Sequence, residues 1–419
     1  TRTPKVSISI PSYNHARFLP AAIESVLGQT HEHIELIIVD DGSTDGSLQI
    51  AQDYAARHPA RVKVFTHPGH ANRGISATVN LGWEKSSGDY WSGLPSDDML
   101  YPRKVEEQVA FMESHPGVGW VYCYAHYIDG DGRRRPDLGL FGTDITRAPS
   151  QIERLIEGNV IPGMTALMRR SFVERIEPHD ESLIYSDWDF WVRLTAHAPA
   201  AFLPRALVKY RVHSYNTSVG NAQQIALDLQ RAVDVLLKLR GQAGRIGGAL
   251  AAPRSQALLD LQLAFHFYCM RDSTRAARHL AGAFDADPAL RTDTAYFTRW
   301  LKGRYRYLIL HLPGLMIEPS FPDWTLAHLP PGAGASFVKE LTKNVSAWSF
   351  GGGAVKYHKA AMLLGSKWKI MRFLSQDARN WRGDDPLRMN VSMLAGSLLR
   401  KRMQSILGSR EAEGDYGDG

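Results

Sequence analysis

Over its first hundred residues the chain alternates short apolar runs with amphipathic segments, and every apolar run ends in a polar or glycine-rich cluster. Lys5–Ile10 (KVSISI) alternates as a strand and stops at Pro11, Ser12, Tyr13 and Asn14, which is turn chemistry. Phe18–Thr30 has helical spacing, with Leu19, Ile23, Val26 and Leu27 on one face. Glu35–Val39 (ELIIV) is a near-continuous apolar run, as suits a strand buried on both faces. It ends in Asp40-Asp41-Gly42-Ser43-Thr44-Asp45-Gly46, whose Ser and Asp residues can cap a helix over Ser47–Arg57. Val62–Thr66 reads as a third strand, Ile75–Lys85 as a third helix and Tyr90–Leu94 as a fourth strand. Strands separated by helical crossovers imply an α/β fold with a mostly parallel sheet flanked by helices. Ligands of such a sheet sit beyond the carboxyl ends of its strands, where the polar clusters fall.

The pattern is mixed from Pro102 to Tyr215, with strands expected at Val118–Tyr127, Thr165–Arg169 and Ala201–Val212, so residues 1–220 read as one domain. A helical bundle is expected over 221–310, including Ala222–Arg240 and Ser255–Phe284; Asp272–Leu290 resembles one tetratricopeptide-like hairpin. Residues 311–353 read as a linker or irregular wrap ending in Gly351, Gly352 and Gly353, 354–410 as basic amphipathic helices and 411–419 as a disordered tail. With only Cys123 and Cys269, a disulfide framework is excluded, and a reducing compartment is expected. No apolar run of the length needed to span a bilayer is present, and no leader segment is expected ahead of the first strand. The net charge of +6 is uneven: Lys356–Arg410 holds twelve Lys or Arg against three Asp, +9, leaving −3 elsewhere. Such a stretch suits an anionic membrane surface, or packing against the α/β domain or a second subunit; no nucleic-acid motif accompanies it.

The chemistry-bearing residues cluster at the strand ends. Asp40 and Asp41 close a buried strand, one able to cap a helix and the other to bind a ligand; a capping loop alone explains them equally well. Asp97 and Asp98 follow the fourth strand and can serve one divalent cation that also takes diphosphate oxygens, or simply face solvent in a loop. Between the pairs, Arg73 offers a fork of donors, Gly74 permits close backbone approach, and Asn80 lies two turns along the helix from Asn72.

Four blocks, VSISIPSYNHARFLPAAIESVLGQT (Val6–Thr30), IELIIVDDGSTDGS (Ile34–Ser47), NRGISATVNLG (Asn72–Gly82) and SSGDYWSGLPSDD (Ser86–Asp98), resemble in order and spacing the inverting family 2 glycosyltransferases of GT-A fold. The resemblance covers about residues 5 to 215 and implies a nucleotide-sugar bound across the strand ends. By position, Pro11, Tyr13, Asn14 and Asp41 would line the nucleoside pocket, with Asp40 supporting the loop and Arg73 and Asn80 on the donor side. Asp97 would lie toward ribose, metal or sugar, and Asp98 would be the metal ligand. Many relatives have an Asp before Ser96 where this chain has Pro95, and Glu-Asp where it has Ser186-Asp187. Asp187 then matches the general base, with Asp189 a helix cap or acceptor contact and Trp188 and Trp191 either sugar platforms or core. Tyr210–Ser218 resembles the loop over the diphosphate, in which His213 would meet the metal or a phosphate and Arg211 would complement negative charge.

The expected function is a metal-dependent (Mn²⁺ or Mg²⁺) inverting glycosyltransferase. It would use a UDP-sugar and a glycan or lipid-linked glycan acceptor in bacterial surface polysaccharide synthesis, in the cytoplasm at the inner face of the membrane. A non-catalytic nucleotide-sugar-binding or scaffold subunit is the alternative. A nucleotidyltransferase is disfavoured because the first strand is not followed by a Gly-rich, Lys-bearing phosphate loop.

Overall fold

The structure, a computed structural model, describes residues 3–213, 222–311, 321–330, 333 and 335–350. In chain order the elements are β1 (Val6–Ser12), α1 (Leu19–Leu27), β2 (Ile34–Asp40), α2 (Ser47–Arg57), β3 (Val62–Thr66), α3 (Ile75–Glu84), β4 (Tyr90–Gly93), β5 (Met99–Leu100) and α4 (Lys104–Ser114). There follow β6 (Trp120–Ile128), β7 (Leu140–Phe141), α5 (Gln151–Ile156), β8 (Leu167–Arg169), α6 (Arg170–Val173), α7 (Ser186–His197) and β9 (Ala200–Arg211). The helices after the sheet are α8 (Ala222–Ile246), α9 (Pro253–Cys269), α10 (Ser273–Ala286), α11 (Thr294–His311), α12 (Phe321–Ala327) and α13 (Ala335–Phe350).

One sheet runs β3-β2-β1-β4-β8-β6-β9-β5, with β7 added on β6. β1 lies parallel to both β2 and β4, and β2 parallel to β3, as the alternation of strands and helices requires. The other half is mixed: β8 runs antiparallel to β4 and β6, β5 antiparallel to β9, and β9 parallel to β6. Ile8, Ile10, Leu36 and Ile38 are wholly buried, and each contributes roughly 2 kcal/mol by leaving water.

Two contacts fix how the elements sit around the strand ends. Helix α3 approaches β1 so closely that a Cβ at Gly82 would fall 1.9 Å from Ser9 Oγ, so only glycine lets this helix lie flat on the strand. At the opposite edge the Glu35 carboxylate accepts from Lys5 Nζ (2.7 Å), Ser7 Oγ (2.6 Å) and the Ser87 backbone N–H (2.6 Å). Burial works to raise its pKa, but these donors outweigh burial and hold it at about 2.

Residues Thr1–Arg134 and Leu140–Pro288 make one compact unit, so α8 to α10, expected within a 221–310 bundle, belong to the same unit as the sheet. Their contacts explain it: α8 packs on α7, and α9 on α5. Arg135–Gly139 and the described residues from Ala289 onward make a second unit. There α12 and α13 form where a linker or wrap is expected, because Phe321, Trp324, Phe337 and Leu341 recur at helical spacing and are buried. Residues 214–218 of the expected diphosphate loop, the glycines at 351–353, the basic segment 354–410 and the tail 411–419 lie outside the described residues. Among the described residues no helix is long and apolar enough to cross a membrane.

Lys104, at the start of α4, is wholly buried and reaches Ser92 Oγ at 2.9 Å. Burial, opposed by the Cys123 thiol nearby, lowers its ammonium pKa to about 8. The folded state therefore binds this proton more weakly than the unfolded state, so the cost is fully present below pH 8 and is relieved as pH rises toward the unfolded value. Lys104→Met is expected to raise stability at pH 7 by about 2 kcal/mol and to lose that advantage by about pH 10, measured by denaturant melts across pH. An unchanged difference across that range would show that Lys104 stays charged in the fold.

Candidate functional site

The carboxyl ends of β1, β2 and β4 finish on the same edge of the sheet, so the loops after them converge. Within β1, Pro11 is buried and pairs with Val39, while just beyond the strand Tyr13 stands 48% exposed. Asn14 adopts a left-handed backbone (φ 51°), and its Oδ1 accepts from the Thr44 N–H at 2.8 Å, tying this turn to the loop after β2.

The two carboxylates after β2 are both engaged. Asp40 Oδ1 accepts from Ser43 N–H (2.9 Å) and faces His70 Nε2 at 2.8 Å. Asp41 accepts from the backbone N–H groups of Arg73 (2.6 Å) and Gly74 (3.0 Å), so it fixes the two residues leading into α3, whereas the start of α2 is supported by Asp45. Each Asp41 oxygen keeps a further lone pair for a ligand donor. The two loops touch at Gly42 (φ +80°), where a Cβ would come within 2.9 Å of Asn72 N and His70 O. Arg73 projects from this junction with its side chain 59% exposed, 3.8 Å from Glu181. Asn80 departs from the donor-side expectation: its Nδ2 donates to His179 O (2.8 Å) and its Oδ1 accepts from His179 N–H (2.9 Å), so it clamps the segment leading into α7.

Beyond β4, the structure gathers His15, Asp97 and His213, whose ligand atoms all lie within 4.8 Å of one another. Asp97 Oδ2 is 3.0 Å from His213 Nε2, and His15 Nδ1 is 2.8 Å from Ser96 Oγ. Phe18 holds the group from one side, stacked on His213 at 4.8 Å and meeting His15 edge-on at 5.9 Å. The carboxylate grouped with the histidines is thus Asp97 and not the expected Asp98. Asp98 is 1% exposed; its Oδ1 accepts from the Arg211 backbone N–H (2.8 Å), and its Oδ2 accepts no hydrogen bond from the described residues. Burial first, and then the charge of Asp97, raises the Asp98 pKa well above the ordinary carboxylate range. Two imidazoles, a carboxylate and a second buried carboxylate beside it are a donor set that fits a divalent cation.

Arg211 does not offer its head to a diphosphate as expected. Its Nε donates to Asp97 O (2.7 Å) and its NH1 to the carbonyls of Asp129 and Gly130, so it braces the acidic turn from behind. Trp188 and Asp189 are likewise internal rather than acceptor contacts. The Trp188 indole is 3% exposed and donates to Leu155 O, and Asp189, wholly buried, pairs with Arg193 (2.8 Å) and Lys238 (3.0 Å). Trp191 stacks on Trp120 in the core at 5.0 Å.

Asp187 stands at the start of α7, half-buried, and accepts from its neighbour's Trp188 N–H (2.8 Å) and from Asn159 Nδ2 (3.0 Å). The low-dielectric surroundings raise its pKa, and the hydrogen bonds limit the rise. Ser186, the residue where relatives carry Glu, points inward: its Oγ lies 2.7 Å from Ser76 Oγ and 3.2 Å from His179 Nδ1, joining α7 to α3. Sequence reasoning missed His15 and Phe18 as parts of the site, while Asn159 opens a stretch, Asn159–Thr165, that resembles the family's segment facing the donor sugar or acceptor without naming a chemistry. His15 and Phe18 sit within the first matched block, but nothing in their spacing distinguishes them from an ordinary turn and core residue.

The model of the family "Glycosyl transferase family 2" matches residues 7–177. EpsE of Bacillus subtilis, which bears a glycosyltransferase name, is 32% identical over 232 residues, 52% of this chain and 80% of that protein. An uncharacterized glycosyltransferase of Rickettsia typhi is 32% identical over 226 residues, 52% of this chain and 67% of that one. Among solved structures, Staphylococcus aureus TarS 1–349 in complex with UDP aligns at a TM-score of 0.47 and 16% identity, over 83% of this chain and 92% of that one. The mannosyltransferase PcManGT from Pyrobaculum calidifontis, in complex with GDP-Man and Mn²⁺, aligns at 0.47 and 18%, over 82% and 88%. At that level neither complex assigns a ligand to this chain. The matched family model and the relative in Bacillus subtilis, 80% of which this chain covers, show that the chain is a glycosyltransferase and belongs to family 2.

Proposed function

We propose that this glycosyltransferase moves a sugar with inversion from a nucleotide donor, UDP-linked, to a hydroxyl of a glycan acceptor in bacterial surface polysaccharide synthesis. The observation that carries the reading is Asp187: a half-buried carboxylate with a raised pKa, steadied by Asn159 at a helix start, is a competent general base. In the transfer, Asp187 takes the acceptor hydroxyl proton as that oxygen bonds the anomeric carbon. The bond from that carbon to the diphosphate breaks, and the nucleoside diphosphate leaves with the electron pair. Tyr13 offers an exposed ring for a base to stack on, and Asp41, fixed by the start of α3, offers its remaining lone pairs to nucleoside hydroxyl or amide donors. Arg73, on the same junction, supplies positive charge for the donor. Asp97 and His213 would hold a divalent cation, with Asp98 beside them. When bound, that cation supplies Lewis-acid stabilisation of charge on the diphosphate. A glycan acceptor carried on lipid accords with the basic segment 354–410 at a membrane surface.

A thermal-shift screen of UDP, GDP, dTDP and CMP, each with Mn²⁺, Mg²⁺ or chelator, is expected to give a metal-dependent rise in Tm with UDP. Stabilisation by GDP or dTDP alone would overturn the UDP reading. Asp187→Asn is expected to cut transfer about 10²- to 10⁴-fold while leaving nucleotide binding intact; a variant retaining near-normal turnover would remove Asp187 as the base. Since a protonated Asp187 cannot accept the acceptor's proton, kcat falls as pH drops through its raised pKa. Asn159→Ala removes a donor that favours the carboxylate, so the acid limb of the kcat profile should move to higher pH.

A further inference from the structure

We infer that His15 makes the cation site select transition ions over magnesium, acting as a nitrogen ligand beside Asp97 and His213. This deepens the proposed function, resting on its cation site but not on its base or donor.

His15 is positioned from three directions. Its backbone N–H donates to Ser47 Oγ at 3.0 Å, following the left-handed Asn14 that turns the chain off β1. Its ring meets Phe18 and His213 edge-on, each at 5.9 Å between ring centres. Its Nδ1 lies 2.8 Å from Ser96 Oγ, itself 2% exposed. With the Nδ1 proton donated to that hydroxyl, the lone pair lies on Nε2, which is the arrangement a ligating histidine adopts when a neighbouring group fixes its tautomer.

The three donors come from three separate segments, the turn after β1, the loop after β4 and the residues just beyond β9. Their atoms lie within 4.8 Å of one another, a span that one ion can bridge. The chemical consequence is selectivity. Magnesium favours oxygen ligands and retains its waters, whereas imidazole favours the later first-row ions, with affinity rising from manganese toward cobalt and nickel. Replacing one of two nitrogen donors therefore changes which ion binds, not only how tightly.

The test is direct metal binding to the full chain without nucleotide or acceptor, using Co²⁺ and Mg²⁺ as probes. Affinities come from calorimetry and the ligand field from the visible absorption of bound Co²⁺. The wild type is expected to bind Co²⁺ at least about a hundredfold more tightly than Mg²⁺. His15→Ala should lose at least about tenfold in Co²⁺ affinity with a changed visible spectrum, and little in Mg²⁺ affinity. Ser96→Ala, a small change that leaves the ligand in place, should weaken Co²⁺ binding in the same direction. Equal Co²⁺ affinity and an identical spectrum in folded His15→Ala, checked by its melting curve, would overturn the inference, as would a wild type that binds both ions equally. The two readings fail separately: if Asp187→Asn keeps full transfer while His15→Ala loses Co²⁺, the function is wrong and the ligand assignment stands. If transfer depends on Asp187 while His15→Ala leaves Co²⁺ binding untouched, only the ligand assignment falls.

Discussion

The parallel placement of β1 between β2 and β4 is the constraint on which the whole site depends. Because the three strands point the same way, the turn at Tyr13, the acidic pair at Asp40 and Asp41 and the acidic turn at Asp97 and Asp98 are delivered to one edge. A reversal of any one strand would send its polar end to the opposite edge, where Glu35 sits clasped by Lys5, Ser7 and Ser87. The packing of α3 through Gly82 completes the frame, since it brings the start of that helix against the end of β2.

Gathering carboxylates at one buried edge carries an electrostatic cost, and the loops are built around meeting it. Asp41 is held by two backbone N–H groups and Asp40 Oδ1 by Ser43 and His70, so these two buried carboxylates hold loops together. Asp98 is buried, lies beside the charge of Asp97 and receives only one such bond, so its pKa is raised, with burial the larger cause. Arg211 lies behind the turn with its N–H groups on carbonyls, and its charge acts on both Asp97 and Asp98. The result is one carboxylate, Asp97, grouped with two imidazoles and with the buried Asp98 beside it, a donor set suited to a divalent cation.

Much of this was legible in the residues. The strand and helix alternation predicted the parallel half of the sheet, and the strands expected later at Val118–Tyr127, Thr165–Arg169 and Ala201–Val212 appear within a few residues as β6, β8 and β9. Asp187 stands out in its block only through the family resemblance, and the structure gives it Asn159 as a hydrogen-bond partner. What failed were assignments of polar side chains to ligands. Asn80 and Arg211 carry the right donors for a nucleotide or diphosphate, but backbone groups distant in sequence claimed them. Position left Trp188 as either a sugar platform or core and Asp189 as either a helix cap or an acceptor contact, and α7 turns both into the interior, where Leu155, Arg193 and Lys238 meet them.

The amino-acid sequence by itself determined the period of each element, the polar character of the strand ends and the family, because these follow from local spacing and from blocks in fixed order. Only the tertiary structure decided which side chains share a site. His15, Asp97 and His213 are separated by long stretches of chain, and no local pattern encodes the crossing of three segments. A hydrogen-bonding side chain takes the partner that folding brings within about 3 Å, and that partner is set by the packing of whole elements rather than by its neighbours in the chain.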